Sequence, residues 1–299
     1  MRPQVYLPLR KKYVLNFRDF SIPLGHETKI MGIVNVTPDS FSQDGCLTHR
    51  IDFTHKAITQ AKKLIRQGAH IIDIGGESSR PGARKISAKE EIRRVIPAVK
   101  YLAQKTKVPI SVDTYKTQVA KIALDAGASI INNIKGISLE KTLLKMIRDY
   151  RAAIVLMHMR GVPKTMQKDI FYNDIIKEIL DSLRKSIENC LEIGIKSDKI
   201  IIDPGIGFGK TFEQNLILLN RLDAFNTLNC PILIGTSRKS FIGSVLNKDV
   251  HKRLLGTAAT LCASIIKGAH IVRVHDVKDM HDVTLMTDAI INEKMTDLK

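Results

Sequence analysis

The sequence predicts an α/β protein, a (β/α)8 TIM barrel with a short N-terminal extension. Eight short apolar segments recur along the chain, and such segments are typical of parallel strands buried on both faces. Amphipathic helical segments separate them, and polar residues cluster where the apolar segments end. The expected strands are 30–35, 71–74, 110–113, 130–133, 153–158, 200–203, 232–235 and 271–274.

The residues before the first barrel strand form the extension. Residues 1–29 are basic, and we expect a short hairpin there that closes the bottom of the barrel. Residues 30–299 are then expected to form one barrel domain.

Two long segments at the carboxyl ends of the first two strands are expected to be loops. Residues 37–45 and 75–83 are rich in Gly, Pro, Ser and Asp, which favour turns. Because barrel enzymes bind their ligands at this face, we expect both loops to close over a bound ligand.

The helices follow from apolar residues at helical spacing. In residues 175–192, for example, Ile175, Ile179 and Leu183 lie on one face. Gly68 is the expected C′ residue of the first helix. The expected helices are 51–67, 88–106, 115–126, 139–150, 175–192, 214–222, 257–267 and a C-terminal helix.

Composition excludes several classes of protein. The chain has 299 residues, of which 44% are hydrophobic, and no apolar segment approaches a membrane helix of ~20 residues. The N-terminus lacks the apolar region of a secretory signal. The four cysteines are scattered without a CxxC pair, which predicts reduced thiols in a cytoplasmic protein.

The net charge of +17 indicates either an anionic partner or a basic surface without a specific role. The lysines are spread over the predicted helices, there is no tryptophan, and aromatic residues make up only 5% of the chain. The interleaving of aromatic and basic residues that binds single strands is therefore missing. We therefore expect neither a membrane nor a nucleic acid as a partner. Nucleic-acid binding is kept as a weak alternative.

Polar groups at four strand ends indicate a flat, hydrogen-bonding ligand. Asp73, Asp113 and Asp203 supply acceptors, and Asn132 supplies both a donor and an acceptor. This set suits a heterocycle with several N–H groups, such as a pterin or guanine. The competing interpretation is a metal site, for which the clustered histidines and cysteines of a zinc site are absent.

Two further motifs indicate anion binding. Residues 237–240 place Ser, Arg, Lys and Ser where the seventh strand meets its helix, a common phosphate site in barrels. Arg273 and His275 alternate along the eighth strand and therefore share one face. The glycine segment 203–211 is not a nucleotide P-loop, because Pro204 stands where that motif requires glycine.

Six motifs in order resemble the dihydropteroate synthase family, over about residues 30–280. They are 31–42 (MGIVNVTPDSFS), 73–82 (DIGGESSRPG), 111–114 (SVDT), 203–210 (DPGIGFGK), 237–240 (SRKS) and 273–276 (RVHD). The resemblance implies a pterin-binding barrel that joins 6-hydroxymethyl-7,8-dihydropterin pyrophosphate to p-aminobenzoate, giving 7,8-dihydropteroate and pyrophosphate in folate biosynthesis. It further implies a Mg²⁺-dependent cytoplasmic homodimer that is a target of sulfonamides.

The resemblance also implies a role for each matching residue. The catalytic residues would be Asp113, Lys239, Arg273 and His275. The pterin site would contain Asp73, Asp113, Asn132, Met157, Asp203, Phe208 and Lys239. The pyrophosphate site would contain Asn35, Arg80, Arg273 and His275, and Asn35 would bind the Mg²⁺ on the pyrophosphate. The p-aminobenzoate site would contain Phe41, Ser79, Arg80, Pro81 and Ser240.

One residue departs from the family pattern, and two alternatives stay open. The family usually has Asp at position 133, where this chain has Asn133; alternation along the strand predicts that Asn133 faces away from the ligand side of Asn132. The alternatives are a pterin-binding methyltransferase and a silent paralogue that binds pterin without catalysis.

Overall fold

Eight parallel strands form a barrel, which confirms the predicted fold class. The computed structural model describes residues 10–37, 50–78, 85–135, 139–161, 165–167 and 169–294. Over these ranges, the strands are the hairpin pair β1 (Tyr13–Phe17) and β2 (Phe20–Leu24), then β3 (Lys29–Asn35), β4 (Ile71–Gly75), β5 (Ile110–Asp113), β6 (Ile130–Asn133), β7 (Ala153–Met157), β8 (Ile200–Asp203), β9 (Leu233–Ile234) and β10 (Ile271–Val274).

Neighbouring strands pair in parallel around the ring. The order runs from β8 through β7, β6, β5 and β4 to β3, and then to β10 and β9. A parallel bridge between Ile202 and Ile232 joins β8 to the segment before β9, with Ile202 N donating to the Pro231 carbonyl at 3.0 Å. The carboxyl ends of all the barrel strands therefore open at one mouth.

Helices cover the outside of the barrel. They are α1 (Arg50–Arg66), α2 (Ala88–Lys105), α3 (Thr117–Asp125), α4 (Lys141–Asp149), α5 (Ile175–Glu192), α6 (Phe212–Asn220), α7 (Ser240–Leu246), α8 (Leu254–Ile266) and α9 (Val277–Asn292). Side-chain caps define several starts: Ser87 Oγ accepts from Glu90 N at 3.2 Å, and Thr211 forms a capping box with Gln214.

The apolar core has two parts because alternate residues of each strand face opposite sides. The larger part lies between the strands and the helices. The smaller part fills the lower barrel interior with Met31, Ile71, Ile130, Ala153, Val155, Ile201, Leu233 and Ile271. The lower interior is thus a packed apolar layer, and the polar strand-end residues lie above it.

The N-terminal hairpin closes the bottom of this interior. Its buried residues Leu15, Phe17, Ile22 and Leu24 belong to the same cluster as the inner barrel residues. The intervening residues on each strand are exposed or partly exposed, as expected for a hairpin with one buried face. The hairpin and the barrel therefore share one core.

A buried ion pair ties the start of the chain to its last helix. Arg10 Nη2 lies 2.8 Å from Asp288 Oδ1, and the two side chains are 3% and 2% exposed. Arg10 Nη1 also donates to Thr28 Oγ1 and to the Ala269 carbonyl, while Thr28 N donates to Asp288 Oδ2. Both charges are thus fully hydrogen bonded below the barrel.

Several element boundaries differ from the sequence-based expectation by one to three residues, most of all the helix expected at 257–267, which starts at Leu254. The seventh barrel strand, β9, is only two residues long, and Ile232 before it forms a single parallel bridge with Ile202. The helix expected at 214–222 starts at Phe212 because Thr211 caps it, and a 3₁₀ segment, Leu222–Leu228, follows. In the parts of the chain that the structure describes, no helix combines the length and apolarity needed to cross a bilayer.

We predict that Asp288→Asn destabilises the protein by about 3 kcal/mol, because it leaves the buried Arg10 guanidinium without a counter-charge. Urea denaturation followed by circular dichroism measures the change. Asp282→Asn on the same helix is the matched control, since the Asp282 side chain is 86% exposed. Equal unfolding midpoints for the two variants would show that the buried ion pair does not stabilise the fold.

Candidate functional site

The mouth of the barrel collects the polar strand-end side chains around Arg273. Arg273 Nε lies 2.6 Å from Asp73 Oδ2 of β4, and Arg273 Nη2 lies 2.9 Å from Asp113 Oδ2 of β5. Asn132 Nδ2 of β6 donates to the same Asp73 oxygen at 3.1 Å. One guanidinium therefore holds two carboxylates from neighbouring strands, and an amide braces the deeper one.

Two buried polar atoms beside this network lack hydrogen-bond partners. Asp73 and Ser111 are adjacent in the β4–β5 register and are both fully buried. In the described structure, Asp73 Oδ1 and Ser111 Oγ have no hydrogen-bond partner. Buried polar groups are almost always satisfied, so these two atoms mark a place where a polar ligand or water completes the site. The sequence-based site did not include Ser111.

A glycine loop after β8 sets the position of Asp203. Gly205 N donates to Asp203 Oδ1 at 2.7 Å. Gly205 has φ +74°, and a Cβ there would lie 1.9 Å from the His158 carbonyl oxygen, so only glycine fits. Further along the loop, Gly207 N donates to Asn215 Oδ1 at 2.6 Å. Backbone donors and close packing therefore hold the carboxylate without any mobile side chain.

Lys239 and Phe208 face each other at this side of the mouth. Lys239 Nζ lies 3.9 Å from the centre of the Phe208 ring, the geometry of a cation–π contact. Burial and repulsion from Arg273 lower the pKa of Lys239 to about 8, although Asp203 and Asp113 oppose the shift. Met157, at the end of β7, is 3% exposed. A cation, an aromatic ring and a thioether thus border the same cleft.

Burial raises the pKa of two carboxylates of the mouth. Asp113 has a pKa of about 7, because desolvation and the neighbouring Asp73 charge outweigh the attraction of Arg273. The pKa of Asp203 is also raised by desolvation, against the Gly205 hydrogen bond and the charge of Lys239. Arg273 stays a cation, because Asp73 and Asp113 raise its pKa despite burial. Asp113 is therefore a carboxyl whose charge changes near neutral pH.

The turn before α7 is hydrogen bonded to the end of β10. Ser237 Oγ lies 3.0 Å from His275 Nδ1, and His275 N donates to Ser237 Oγ at 3.2 Å. Arg238 forms two hydrogen bonds to Asp276, with Nε 3.0 Å from Oδ2 and Nη2 2.5 Å from Oδ1. Ser240 starts α7 and is exposed. Within residues 237–240, the charge of Arg238 is thus paired with that of Asp276.

Asn35 lies close to Asp113, across Gly75. A Cβ at Gly75 would lie 3.8 Å from Asn35 Oδ1 and 3.9 Å from Asp113 Oδ2, so the two oxygens flank the glycine. Within the described residues, no group of three or more His, Cys, Asp or Glu side chains could hold a metal ion. Asn35 Oδ1 thus places one hard oxygen close to the Asp113 carboxylate.

Asn133 faces away from this site, as alternation along β6 predicts. Asn133 Nδ2 donates to the Thr114 carbonyl at 3.2 Å, and Lys135 N donates to Asn133 Oδ1 at 2.7 Å. The amide thus braces the segments after β5 and β6 and does not enter the mouth.

Four of the predicted site residues, Phe41, Ser79, Arg80 and Pro81, lie outside the described residues, so their roles remain predictions. The structure brings the other predicted residues to the mouth and adds two that the sequence did not mark. These are Ser111 and Lys210, whose side chains are fully buried. Ser111 alternates with Asp113 on β5, and this signal could have marked it as inward-facing.

Comparison with known proteins identifies related chains. The model of the pterin binding enzyme family matches residues 31–275. A dihydropteroate synthase of Synechocystis is 46% identical over 267 residues, covering 89% of this chain and 91% of that protein. A Yersinia pestis dihydropteroate synthase crystallised with a sulfonamide drug superposes with a TM-score of 0.86 at 38% identity, covering 93% of this chain and 99% of the other. A Clostridium difficile dihydropteroate synthase studied with pteroic acid gives a TM-score of 0.82 at 46% identity, covering 89% and 98%.

Proposed function

We propose a mechanism from the premise that this chain belongs to the dihydropteroate synthase family of pterin-binding enzymes. The chain is a dihydropteroate synthase, a transferase of folate synthesis. It joins 6-hydroxymethyl-7,8-dihydropterin pyrophosphate to p-aminobenzoate and releases pyrophosphate. The C–O bond to pyrophosphate breaks with its electron pair on the leaving oxygen, the amine nitrogen bonds to the methylene carbon, and the amine loses a proton.

The observation that carries the pterin site is the pair of unsatisfied atoms, Asp73 Oδ1 and Ser111 Oγ. A pterin ring has several N–H donors and ring-nitrogen acceptors at its edge, and it would satisfy buried groups that nothing else in the described structure satisfies. Asn132 and the Gly205-anchored Asp203 supply further polar contacts along the same cleft.

Phe208, Met157 and Lys239 would enclose the faces and edge of the ring. Phe208 and Met157 supply apolar surface, and Lys239 supplies an ammonium held over the Phe208 ring. Since the pKa of Lys239 is lowered to about 8, its ammonium is a ready hydrogen-bond donor at neutral pH.

Arg273 and His275 would stabilise the charge that builds on the leaving pyrophosphate. Arg273 is a guanidinium held in place by two carboxylates, and Ser237 orients the His275 ring at Nδ1. Fixed charges of this kind stabilise a transition state because they need no rearrangement during the reaction. Arg80 would assist them from the second loop.

Asp113 would stabilise the positive charge that develops on the pterin methylene as pyrophosphate leaves. Its carboxylate must be ionised for this role, and burial places its pKa at about 7. The p-aminobenzoate would lie next to this carbon, with its carboxylate at Ser240 and its ring among Phe41, Ser79, Arg80 and Pro81. A sulfonamide would compete for the same pocket, as the sulfonamide complex of the Yersinia pestis relative suggests.

We predict that Asp113→Asn lowers turnover by about a hundredfold, since the developing cation loses its counter-charge.

In the wild type, we expect turnover to fall as pH decreases through about 7, because Asp113 becomes protonated there. The measurement is pyrophosphate release that depends on p-aminobenzoate, with dihydropteroate identified as the product.

Asp125→Asn is the control, because Asp125 is exposed on α3, the helix that follows the same strand. Wild-type protein that releases no pyrophosphate on addition of p-aminobenzoate would contradict the proposed reaction. Unchanged turnover of Asp113→Asn would contradict the role of this carboxylate alone.

We also propose that Mg²⁺ binds at Asn35 only together with pyrophosphate. The donors fit this reading, because Asn35 Oδ1 is one hard oxygen near Asp113 and the described residues offer no complete protein site. When bound, Mg²⁺ would supply positive charge to the leaving group.

Asn35→Ala is therefore expected to raise the Mg²⁺ concentration needed for half-maximal turnover by about tenfold, the loss of one oxygen ligand. Calorimetry gives a readout independent of activity: Mg²⁺ should bind the wild type in the presence of inorganic pyrophosphate and not in its absence. Asn16→Ala on the exposed edge of β1 is the control. Tight Mg²⁺ binding without pyrophosphate would contradict the proposal that Asn35 and pyrophosphate bind the ion together.

The protein is further proposed to form a homodimer through α8 and α9. The α8 helix has no charged residue between Leu254 and Ile266, and its outward stripe consists of Leu255, Ala259, Ala263 and Ile266. Leu255 is 73% exposed, and Met286 and Ile290 of α9 are 63% and 62% exposed. An exposed apolar face of this size is typical of a protein–protein interface, so a second copy is the proposed cover. The three described cysteines are free thiols, which supports the proposed cytoplasmic location.

Light scattering after size exclusion tests the dimer. We expect a dimer for the wild type and a monomer for Leu255→Glu, because a buried carboxylate at the centre of an apolar interface lacks a partner. Leu191→Glu on α5, where Leu191 is 47% exposed, should leave the dimer intact. A wild-type monomer at micromolar concentration would contradict the proposed interface.

A further inference from the structure

Lys210 is a buried cation that the proposed mechanism does not use. Its side chain is 1% exposed, and no carboxylate in the described ranges lies within ion-pair distance of Nζ. Nζ lies 3.1 Å from His158 Nδ1, 2.9 Å from the Phe208 carbonyl oxygen and 3.4 Å from the His158 carbonyl oxygen. Three acceptors thus match the three N–H groups of an ammonium.

His158 is the neutral partner of this cation. It is 7% exposed, and burial together with the charge of Lys210 lowers its pKa to about 2. Burial lowers the pKa of Lys210 to about 7; the ammonium form has only donors, so with it Nδ1 of His158 accepts the hydrogen bond and the imidazole proton lies on Nε2. Lys210 therefore determines the tautomer of His158.

The pair joins two strand ends beneath the pterin cleft. His158 directly follows β7, and its N–H donates to the Asp203 carbonyl at 2.9 Å. Lys210 ends the glycine loop Pro204–Gly209, and Nζ lies 3.4 Å from the Cβ position that Gly205 leaves empty. The Lys210 ammonium therefore packs against Gly205, whose N–H donates to the Asp203 carboxylate.

The Lys210 ammonium also holds the backbone of Phe208, because it donates a hydrogen bond to the Phe208 carbonyl oxygen. The Phe208 ring lies against Lys239 on the cleft side. One buried group thus fixes the loop at both Asp203 and Phe208. Burying an ammonium without a counter-charge is costly, and such groups concentrate at functional sites. Its charge also favours the ionised form of Asp203.

We propose that Lys210 and His158 are positioning residues of the pterin site, which hold the glycine loop so that the Asp203 carboxylate and the Phe208 ring face the ligand. The proposal rests on the proposed function, since it concerns the same pterin cleft. Neither residue touches the substrate; both act through Asp203 and Phe208.

Lys210→Met tests the proposal, because it keeps the apolar stem and removes the ammonium. We expect the Kd for a pterin ligand, measured by calorimetry, to rise by about tenfold or more, the loss of charge-assisted hydrogen bonds. The KM for the pterin pyrophosphate should rise by the same factor while the KM for p-aminobenzoate stays the same. Lys185→Met, at an exposed lysine of α5, is the matched control.

His158 provides a second pair of variants. His158→Gln keeps a side-chain acceptor for Lys210 and should bind pterin close to the wild type, whereas His158→Leu removes it and should resemble Lys210→Met. ¹⁵N NMR of the histidines should show the proton of His158 on Nε2 in the wild type. If Lys210→Met fails to fold, the Gln and Leu variants at His158 carry the test.

The outcomes separate this inference from the proposed function. Wild-type pterin affinity in a folded Lys210→Met or His158→Leu variant would overturn the positioning role even if dihydropteroate is formed. A uniform rise in both KM values would indicate general loosening of the fold and would also overturn it. Wild-type protein that binds pterin but makes no dihydropteroate would overturn the proposed reaction and leave the comparison of pterin affinities valid.

Discussion

The pairing of Arg273 with Asp73 and Asp113 is the interaction on which the mouth of this barrel depends. Two carboxylates from adjacent strands lie too deep to be ionised alone, since each would lose its hydration without compensation. Arg273 contacts both, at 2.6 and 2.9 Å, from a strand on the other side of β3. Removing the guanidinium would leave two like charges facing each other in a low-dielectric site. Arg273 thus links the polar ends of β4 and β5 in one network of charges.

A second group of buried charges lies on the other side of the mouth. Asp203 lies with Lys239 and Lys210, and the pKa values of both lysines are lowered by burial, to about 8 and about 7. The pKa of Asp113 is raised to about 7 by the same desolvation. Such shifts mean that the fold holds charged groups in an environment that disfavours their charge. The corresponding advantage is that these groups need little reorganisation when a charged substrate binds or departs.

Rigid backbone surrounds these charges. The turn before α7 is hydrogen bonded to the end of β10 through Ser237–His275 and Arg238–Asp276, which holds these two segments together. The glycine loop is tied to β7 through Lys210 and His158. Below them, the buried apolar side chains of the β1–β2 hairpin and the Arg10–Asp288 ion pair close the bottom of the barrel. The lower half of the barrel interior is thus apolar and the upper half carries the polar strand ends, the arrangement expected for a barrel enzyme.

By itself, the sequence determined the alternation of strands and helices, the polar residues at the strand ends and the family to which the chain belongs, because periodicity and motifs are local properties of the chain. Asp73, Asp113, Asn132 and Asp203 could each be assigned to a strand end in this way. Only the tertiary structure decided which of them meet: Arg273 and Asp73 are separated by 200 residues, and no local pattern encodes their contact. The same holds for Arg238, whose charge is neutralised by Asp276, and for Lys210, which sequence places in a glycine loop but burial places under the pterin cleft. Pairing and desolvation depend on what surrounds a side chain in space, and they change the charge and availability of a group whose identity the sequence already shows.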